Sequence, residues 1–272
     1  FQTLRQLYRP SIGGFDYVEI NDSPRFPWRG LLIDSVRHFI PLEDIKRQLD
    51  GMASAKLNVF HWHLTDDQGW PIPIKGFPGL HEHASDGQFY THQEIRELVE
   101  YAASLGIRVI PEVDFPGHAS AIAVAYPEFI TVNQRYQMQR HWGVFEPLLD
   151  PSNPDVYSFI DSVFRQLKEL FPDPYVHIGG DEVKPTQWLQ SPSVLAYMKA
   201  HNLSTPLALH THFNHRLQTM LKKHGKLMMG WDEILDAELD KDVMIQSWRG
   251  LHSLQGIVEG GFDGLLSNGF YI

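Results

Sequence analysis

The sequence lacks cysteine, long apolar runs and a surplus of basic residues. The absence of cysteine excludes disulfide bonds, a thiol nucleophile and thiolate metal ligands. No run of about 18 apolar residues is present, so no membrane-spanning helix is expected. The 23 lysines and arginines against 33 aspartates and glutamates give a formal net charge of −10. Nucleic acids and anionic membranes bind basic surfaces, and neither is expected as a partner.

Short apolar runs typical of buried strands alternate with amphipathic helical segments through the 272 residues. Seven strands are predicted, at residues 31–34, 58–64, 107–110, 175–178, 227–230, 243–246 and 264–267. Thr91 and Glu94 form a capping box that begins one helix, and Asn153 precedes Pro154 at the start of another. Strands that alternate with helices predict right-handed βαβ units and a parallel sheet.

The end of the first strand distinguishes two parallel architectures. A doubly wound sheet usually carries a glycine-rich phosphate loop there, whereas residues 35–38 (SVRH) contain no glycine. Polar, acidic or tryptophan side chains instead follow most strands: Asp34, His63, Asp66, Asp114, Asp181, Asp232, Trp248 and Asn268. Barrel enzymes build their sites at this end of the sheet. We therefore predict one TIM-type (β/α)8 barrel, with its eighth strand expected beyond Ile272.

Two adjacent acids, Asp181 and Glu182, follow two glycines at the end of the fourth predicted strand. The glycines let the backbone turn tightly and approach a substrate. Neighbouring side chains at a strand end are expected to diverge, which favours two roles: one acid kept protonated by burial and one anion. The alternative is an ordinary helix start, where acids are favoured, but acids at other strand ends argue against it.

His61 and His63 lie on one face of the second strand, as in metal-dependent amidohydrolases of barrel fold. That alternative requires further histidines after strands five and six, where residues 231–233 (WDE) and 247–249 (SWR) stand instead. A closed metal shell is hard to assemble without them. We therefore expect two hydrogen-bonded core histidines, and neither a metal nor a cofactor.

Trp231 and Trp248 lie at the ends of two late strands. Either one alone is explained by barrel packing, but two at equivalent heights predict the walls of a sugar pocket. Aromatic rings stack on the apolar faces of sugars and exclude water. Arg37, just past the first strand, offers a fork of donors for hydroxyl oxygens; the alternative is a surface ion pair.

Five segments resemble glycoside hydrolase family 20, the β-N-acetylhexosaminidases. They are residues 29–39, 58–67 (NVFHWHLTDD), 111–118 (PEVDFPGH), 177–182 (HIGGDE) and 230–233 (GWDE), in the family's order. The resemblance implies a catalytic (β/α) barrel over residues 25–272, incomplete at its C-terminus. Residues 1–24 are then expected to be the end of a preceding small α/β domain and a linker.

The resemblance also implies an exo-acting retaining hydrolase that removes terminal β-linked N-acetylglucosamine or N-acetylgalactosamine. In this family the substrate's own acetamido oxygen attacks and forms an oxazolinium intermediate, an exception to the two-carboxylate scheme. Glu182 would be the general acid and base, and Asp181 would accept the acetamido N–H. Asp66 and His118 resemble the buried pair that positions the acid.

Arg37 similarly corresponds to the arginine that grips the sugar hydroxyls, and Trp231, Trp248 and Tyr271 resemble the aromatic walls. Asp114 matches a family acid near the site. A further acid and an eighth strand bearing a tryptophan are expected beyond this sequence. Family habit implies chitin fragments or other glycoconjugates as substrates, and a periplasmic, envelope or secreted location, with any signal outside these residues.

Two alternatives remain open from the sequence. One is a non-catalytic barrel that binds N-acetylhexosamine, and the other is the metal-dependent amidohydrolase. The catalytic positions present in the sequence argue against the first, and the missing histidines argue against the second.

Overall fold

A computed structural model describes residues 2–269 of the chain, and Tyr271 lies outside this range. Seven strands form one parallel sheet in sequence order, so that each strand pairs with the next. The strands are β1 (Gly30–Asp34), β2 (Val59–His63), β3 (Arg108–Glu112), β4 (Tyr175–His177), β5 (Leu227–Trp231), β6 (Met244–Ser247) and β7 (Asp263–Leu266). The predicted α/β fold of TIM-barrel type is confirmed, and all seven predicted strands are present.

Ten α-helices lie among the described residues. They are α1 (Gln2–Leu7), α2 (Leu42–Ser54), α3 (Gly79–His83), α4 (His92–Ser104), α5 (Ser120–Ala125), α6 (Pro154–Leu170), α7 (Thr186–Gln190), α8 (Pro192–Ala200), α9 (Pro206–Lys223) and α10 (Leu251–Glu259). Short 3-10 helices cover Pro127–Phe129 and Asp232–Ile234. Within this part of the chain, no helix combines the length and apolarity needed to cross a bilayer.

The predicted helix starts are confirmed by their caps. At α4 the Thr91 side chain accepts from the backbone N–H of Glu94, and the Glu94 carboxylate accepts from the N–H of Thr91. At α6 the Asn153 side chain accepts from the N–H of Asp155, and Pro154 occupies the first helical turn. Each cap satisfies N–H groups that a helix start otherwise leaves without a partner.

Alternation along β2 divides its side chains between two environments. Phe60 and Trp62 are fully buried in the main core cluster against the helices, where Trp62 packs on Tyr90. Val59 belongs to a separate cluster with Ile110 and Met229, from β3 and β5. His61 and His63 follow Val59 at two-residue spacing, so they share its inner face.

The inner face of the sheet therefore changes character along the strands. Its lower layer is apolar, and its upper layer is polar. The strand register places His63 beside Glu112 and Glu112 beside His177. Trp231 ends β5, two residues beyond Met229, which is the register partner of His177. This buried polar layer lies directly beneath the carboxyl ends of the strands, where barrel sites are built.

Candidate active site

The turn after β4 brings two acids to the mouth of the barrel, and it requires glycine. Gly179 and Gly180 have φ angles of +67° and +88°, in a region that favours glycine. A Cβ on Gly179 would overlap Oδ1 of Asp114, and one on Gly180 would overlap the Ile234 side chain. Glu182 itself has a φ of +50°, so the backbone is held in an uncommon conformation at the second acid.

Asp181 and Glu182 converge on one imidazole. Nε2 of His118 lies 3.5 Å from Oδ2 of Asp181 and 3.5 Å from Oε2 of Glu182. The expectation that the two carboxyl groups diverge is therefore wrong. The reason is the backbone after Gly180, which turns Glu182 back toward the same histidine. The other face of that histidine is acidic as well, because Nδ1 lies 3.2 Å from Asp66 and 3.0 Å from Asp67.

These contacts determine the charge of His118. Burial by itself would lower the pKa of this imidazole, but the close carboxylates of Asp181, Asp66, Asp67 and Glu182 raise it far above its ordinary value. His118 is therefore an imidazolium among four carboxyl groups. The predicted pairing of Asp66 with His118 beside the acids is present.

Glu182 is not kept neutral by burial, contrary to the prediction. Its side chain is 34% exposed, and the contact with the cationic His118 lowers its pKa. A neighbouring cation favours the ionised carboxylate, and the partial exposure leaves desolvation too weak to reverse this. Glu182 is therefore ionised.

Arg37 is joined to the same network through Asp66. Its Nη2 lies 2.6 Å from Oδ2 of Asp66, which has no solvent exposure, and its Nη1 lies 2.9 Å from Asp34. The side chain of Arg37 is 24% exposed, so it is half-buried rather than a surface ion pair. Asp66 therefore orients both the guanidinium and the imidazolium of His118.

Asp114 lies beneath the acidic turn as a buried acid. Burial and the nearby carboxylates of Glu112 and Asp181 raise its pKa well above its ordinary value. Its backbone N–H donates to Thr65 Oγ1 at 2.9 Å. Within the described residues, Oδ1 of Asp114 and Oδ1 of Asp181 are both buried without a hydrogen-bond partner.

Each of the two predicted tryptophans is fixed by a carboxylate. The indole N–H of Trp231 donates to Oε1 of Glu112 at 2.7 Å, and its ring is 9% exposed. The indole N–H of Trp248 lies 3.0 and 3.2 Å from the two carboxylate oxygens of Glu233. Burial, together with nearby Asp232 and Asp181, raises the pKa of Glu233 to about 7. The third predicted aromatic residue, Tyr271, lies outside the described residues.

Several sets of buried side chains have the chemistry to hold a cation. In the described part of the chain, the groups whose ligand atoms lie within 4.8 Å of one another are His61–Glu112–His177, His63–Asp66–Asp114, Asp66–Asp67–His118 and His118–Asp181–Glu182. Nε2 of His61 and Oε2 of Glu112 lie only 2.6 Å apart. Two ligands of one tetrahedral metal lie roughly 3.4 Å apart, given bonds of about 2.1 Å. In the first set, His61 and Glu112 therefore contact each other directly, at a separation shorter than that of two ligands of one metal. The prediction that the protein holds no metal stays a prediction.

Sequence reasoning missed Glu112, Asp67 and Glu233. Glu112 is the last residue of β3 and shares the inner face with Ile110, so strand alternation was a signal that could have identified it. Asp67 and Glu233 stand directly beside predicted residues, within the motifs quoted for the family. Nothing in the spacing of either indicates the contact that it makes in the fold.

The family model for glycosyl hydrolase family 20, catalytic domain, matches residues 26–272. The chain belongs to this family. A beta-hexosaminidase of Porphyromonas gingivalis is 40% identical over 86% of the chain and 31% of its own length. A beta-hexosaminidase of Vibrio furnissii is 37% identical over 98% of the chain and 47% of its own length.

The fold agrees with solved structures of the family. The chitobiase of Flavobacterium johnsoniae superposes with a TM-score of 0.93 and 47% identity, over 99% of the chain and 42% of that protein. The chain therefore spans less than half the length of these three relatives. The predicted resemblance to family 20 is confirmed.

Proposed function

We propose that the protein is an exo-acting, retaining β-N-acetylhexosaminidase. It removes terminal N-acetylglucosamine or N-acetylgalactosamine from oligosaccharides or glycoconjugates. The observation that carries the proposal is the placement of Asp181 and Glu182 together on the cationic His118, at the mouth of a family 20 barrel. The names of the beta-hexosaminidase and chitobiase relatives agree with it, and chitin fragments are the substrate class that we propose first.

Glu182 is the general acid and then the general base. Its carboxylate is ionised beside His118. A bound sugar displaces water from the exposed third of this side chain, and desolvation raises the pKa of a carboxyl group. Glu182 is thereby protonated when the glycosidic oxygen of the substrate lies against it. The Asp66–His118 pair positions it and stabilises the carboxylate left after proton transfer.

Asp181 orients the nucleophile supplied by the substrate. Its buried Oδ1 has no hydrogen-bond partner among the described residues, which makes it a free acceptor for the acetamido N–H. The acetamido oxygen forms a bond to the anomeric carbon while the bond to the leaving oxygen breaks, and that oxygen takes the proton of Glu182. Asp181 offsets the positive charge of the oxazolinium ion. Glu182 then deprotonates the water that attacks the anomeric carbon, and the bond from that carbon to the acetamido oxygen breaks, which regenerates the acetamido group and restores the original configuration.

The remaining predicted residues hold the sugar. Arg37 has guanidinium surface open to solvent and is held at Asp66, where it can donate to ring hydroxyls. Trp231 and Trp248 supply rigid rings because their indole N–H groups are already bound. Asp114 supports the turn that carries the acids. Tyr271 is proposed as an aromatic wall of the sugar pocket on the family resemblance alone.

Kinetics of the full-length protein with an aryl N-acetyl-β-glucosaminide test the proposal. Glu182→Gln is expected to lower kcat by about 10²- to 10⁴-fold, the usual contribution of general acid–base catalysis. Asp181→Asn is expected to lose activity and to bind N-acetylglucosamine-thiazoline more weakly. Glu169→Gln, at an exposed acid of α6, is the matched control and retains wild-type rates.

Three outcomes contradict the proposal. Wild-type turnover in Glu182→Gln would remove the assignment of the acid. Tight thiazoline binding by the wild-type protein without any turnover would favour a non-catalytic sugar-binding barrel. Stoichiometric metal in the purified protein would instead favour the amidohydrolase alternative.

A further inference from the structure

A buried histidine outside the proposed chemistry lies between two carboxylates. His63, the last residue of β2, is 4% exposed. Its Nε2 lies 2.9 Å from Oδ2 of Asp66, and its Nδ1 lies 3.0 Å from Oε2 of Glu112. Nε2 also lies 3.2 Å from Nη1 of Arg37, which is itself bound to Asp66. Nε2 is therefore hydrogen-bonded to Asp66, whereas the approach of Nδ1 to Glu112 is an ion-pair contact, since Oε2 of Glu112 has no hydrogen-bond partner among the described residues.

The two carboxylates hold different halves of the site. Glu112 accepts the indole N–H of Trp231, so it fixes one aromatic wall. Asp66 contacts the guanidinium of Arg37 and the imidazole of His118, so it fixes the hydroxyl-binding group and the partner of the acids. His63 is in contact with both carboxylates.

His61 provides a contrast on the same strand and the same face. It is equally buried and lies 2.6 Å from Oε2 of Glu112, the oxygen that His63 also approaches. No contact with Asp66 is found for His61 among the described residues. Burial lowers the pKa of His61 to about 4, so it is neutral at ordinary pH. The pKa of His63 is raised well above its usual value, since the pull of Glu112, Asp114 and Asp66 outweighs its burial.

We propose that His63 is a positioning residue that couples the aromatic wall at Trp231 to the acid–base group at Glu182, through its simultaneous contacts with Glu112 and Asp66. The proposal rests on the proposed function. On the one side the coupling runs from His63 through Glu112 to the indole. On the other it runs through Asp66 and His118 to Glu182. Loss of His63 therefore disturbs both the binding of the sugar and the delivery of the proton.

The buried charges explain why this link is rigid. Glu112 and Asp66 are both without solvent exposure, and two anions held close together without a cation repel each other strongly in a medium of low dielectric. The imidazolium of His63 offsets this repulsion and fixes the separation of the two carboxylates. Asp66 keeps Arg37 and His118 when His63 is removed, but Glu112 loses its contact with this imidazole, so the relative position of the two carboxylates is no longer fixed.

The test compares His63→Gln with His61→Gln in the full-length protein. Rates are measured on aryl N-acetyl-β-glucosaminides with good and poor phenol leaving groups, since a displaced general acid slows poor leaving groups most. For His63→Gln we expect the loss of kcat/KM to be about tenfold greater with the poor leaving group than with the good one. Its affinity for N-acetylglucosamine-thiazoline is also expected to fall. For His61→Gln we expect weaker thiazoline binding and a wild-type dependence on the leaving group.

Parallel losses of rate for both leaving groups in His63→Gln would overturn the proposal, as would an equally steep dependence in His61→Gln. Where His63→Gln fails to fold, His63→Lys keeps a cation between the carboxylates but cannot span both in the same geometry. His63→Lys is expected to fold and to show a steeper dependence of kcat/KM on the leaving group than the wild type. A wild-type dependence in this variant would overturn the proposal. A wild-type protein that turns over none of these substrates contradicts the proposed function instead.

Discussion

The indole of Trp231 and the carboxylate of Glu112, 119 residues apart in sequence, are joined by a 2.7 Å hydrogen bond inside the barrel. Glu112 has no solvent exposure. Burial by itself would raise its pKa, but the surrounding histidines 177, 63 and 61 hold the pKa well below its ordinary range. An ionised carboxylate at this depth stabilises the fold only while its partners remain in place.

Glu112→Gln is expected to lower the free energy of unfolding at neutral pH by about 3 to 5 kcal/mol, the usual cost of breaking a buried ionic group. Because the folded-state pKa of Glu112 is depressed, its stabilisation is present above the unfolded pKa and is lost as pH falls through the folded value. The variant is therefore expected to lose less stability than the wild type on acidification. Urea unfolding at neutral and acidic pH measures both effects.

Glu169→Gln serves as the control, because Glu169 is exposed on α6 and its nearest ion-pair distance, to Arg165, is 4.0 Å. Surface substitutions of this kind change stability by about 0.5 kcal/mol or less. A similarly small change in Glu112→Gln would contradict a structural role for the buried carboxylate.

The fold was predictable because periodicity and turn chemistry are local. The strand at 58–64 and the helix caps at Thr91 and Asn153 depend on residues close in sequence, and all were found in the structure. The acidic turn was predictable for the same reason, since Gly179 and Gly180 directly precede the acids.

The charges of the site were not predictable in the same way. The ionised state of Glu182 depends on His118, which arrives from the loop after β3 and lies 64 residues away in sequence. The bond between Glu112 and Trp231 likewise requires the register of β3, β4 and β5. Alternation indicates which side chains point inward, but it does not indicate which of them come within hydrogen-bond distance.

His118→Asn tests the electrostatic control of Glu182. The pKa of Glu182 is lowered chiefly by its contact with the cationic His118, so removal of the imidazolium is expected to raise it. The basic limb of kcat/KM reports the group that must be protonated in the free enzyme. We expect this limb to move to higher pH while the maximal rate falls by about ten- to a hundredfold. His215→Asn, at an exposed position of α9, is expected to leave the pH profile unchanged. A basic limb that stays in place or moves to lower pH in His118→Asn would show that His118 does not lower the pKa of Glu182.

Gly179→Ala tests whether the acidic turn requires the absence of a side chain at position 179. The new Cβ would overlap Asp114 and would also impose strain at a φ of +67°. Gly87 has a similar φ of +74°, but its Cβ would meet nothing within 4 Å. Gly87→Ala therefore isolates the backbone strain, at about 1 to 2 kcal/mol, and Gly179→Ala is expected to cost about 1 to 3 kcal/mol more through overpacking. Equal losses in chemical denaturation would show that the space beside Asp114 is not limiting.

Glu233→Gln tests the buried carboxylate that holds Trp248. Because burial raises the pKa of Glu233 to about 7, the folded protein keeps a proton that the unfolded chain releases at lower pH. The free energy of unfolding of the wild type therefore falls as pH rises from about 4.5 to 7. Glutamine does not titrate, yet its carbonyl oxygen still accepts the indole N–H. The decline in the wild type amounts to at most about 3 kcal/mol, given about 1.4 kcal/mol per pH unit, and the variant is expected to lack it.

Denaturant unfolding at about pH 5 and pH 8 measures this difference. The control is Glu238→Gln, at an exposed neighbouring position, which is expected to follow the wild type. A Glu233→Gln curve parallel to that of the wild type would mean that Glu233 is ionised in the folded protein throughout, and that Trp248 is held by a permanent anion.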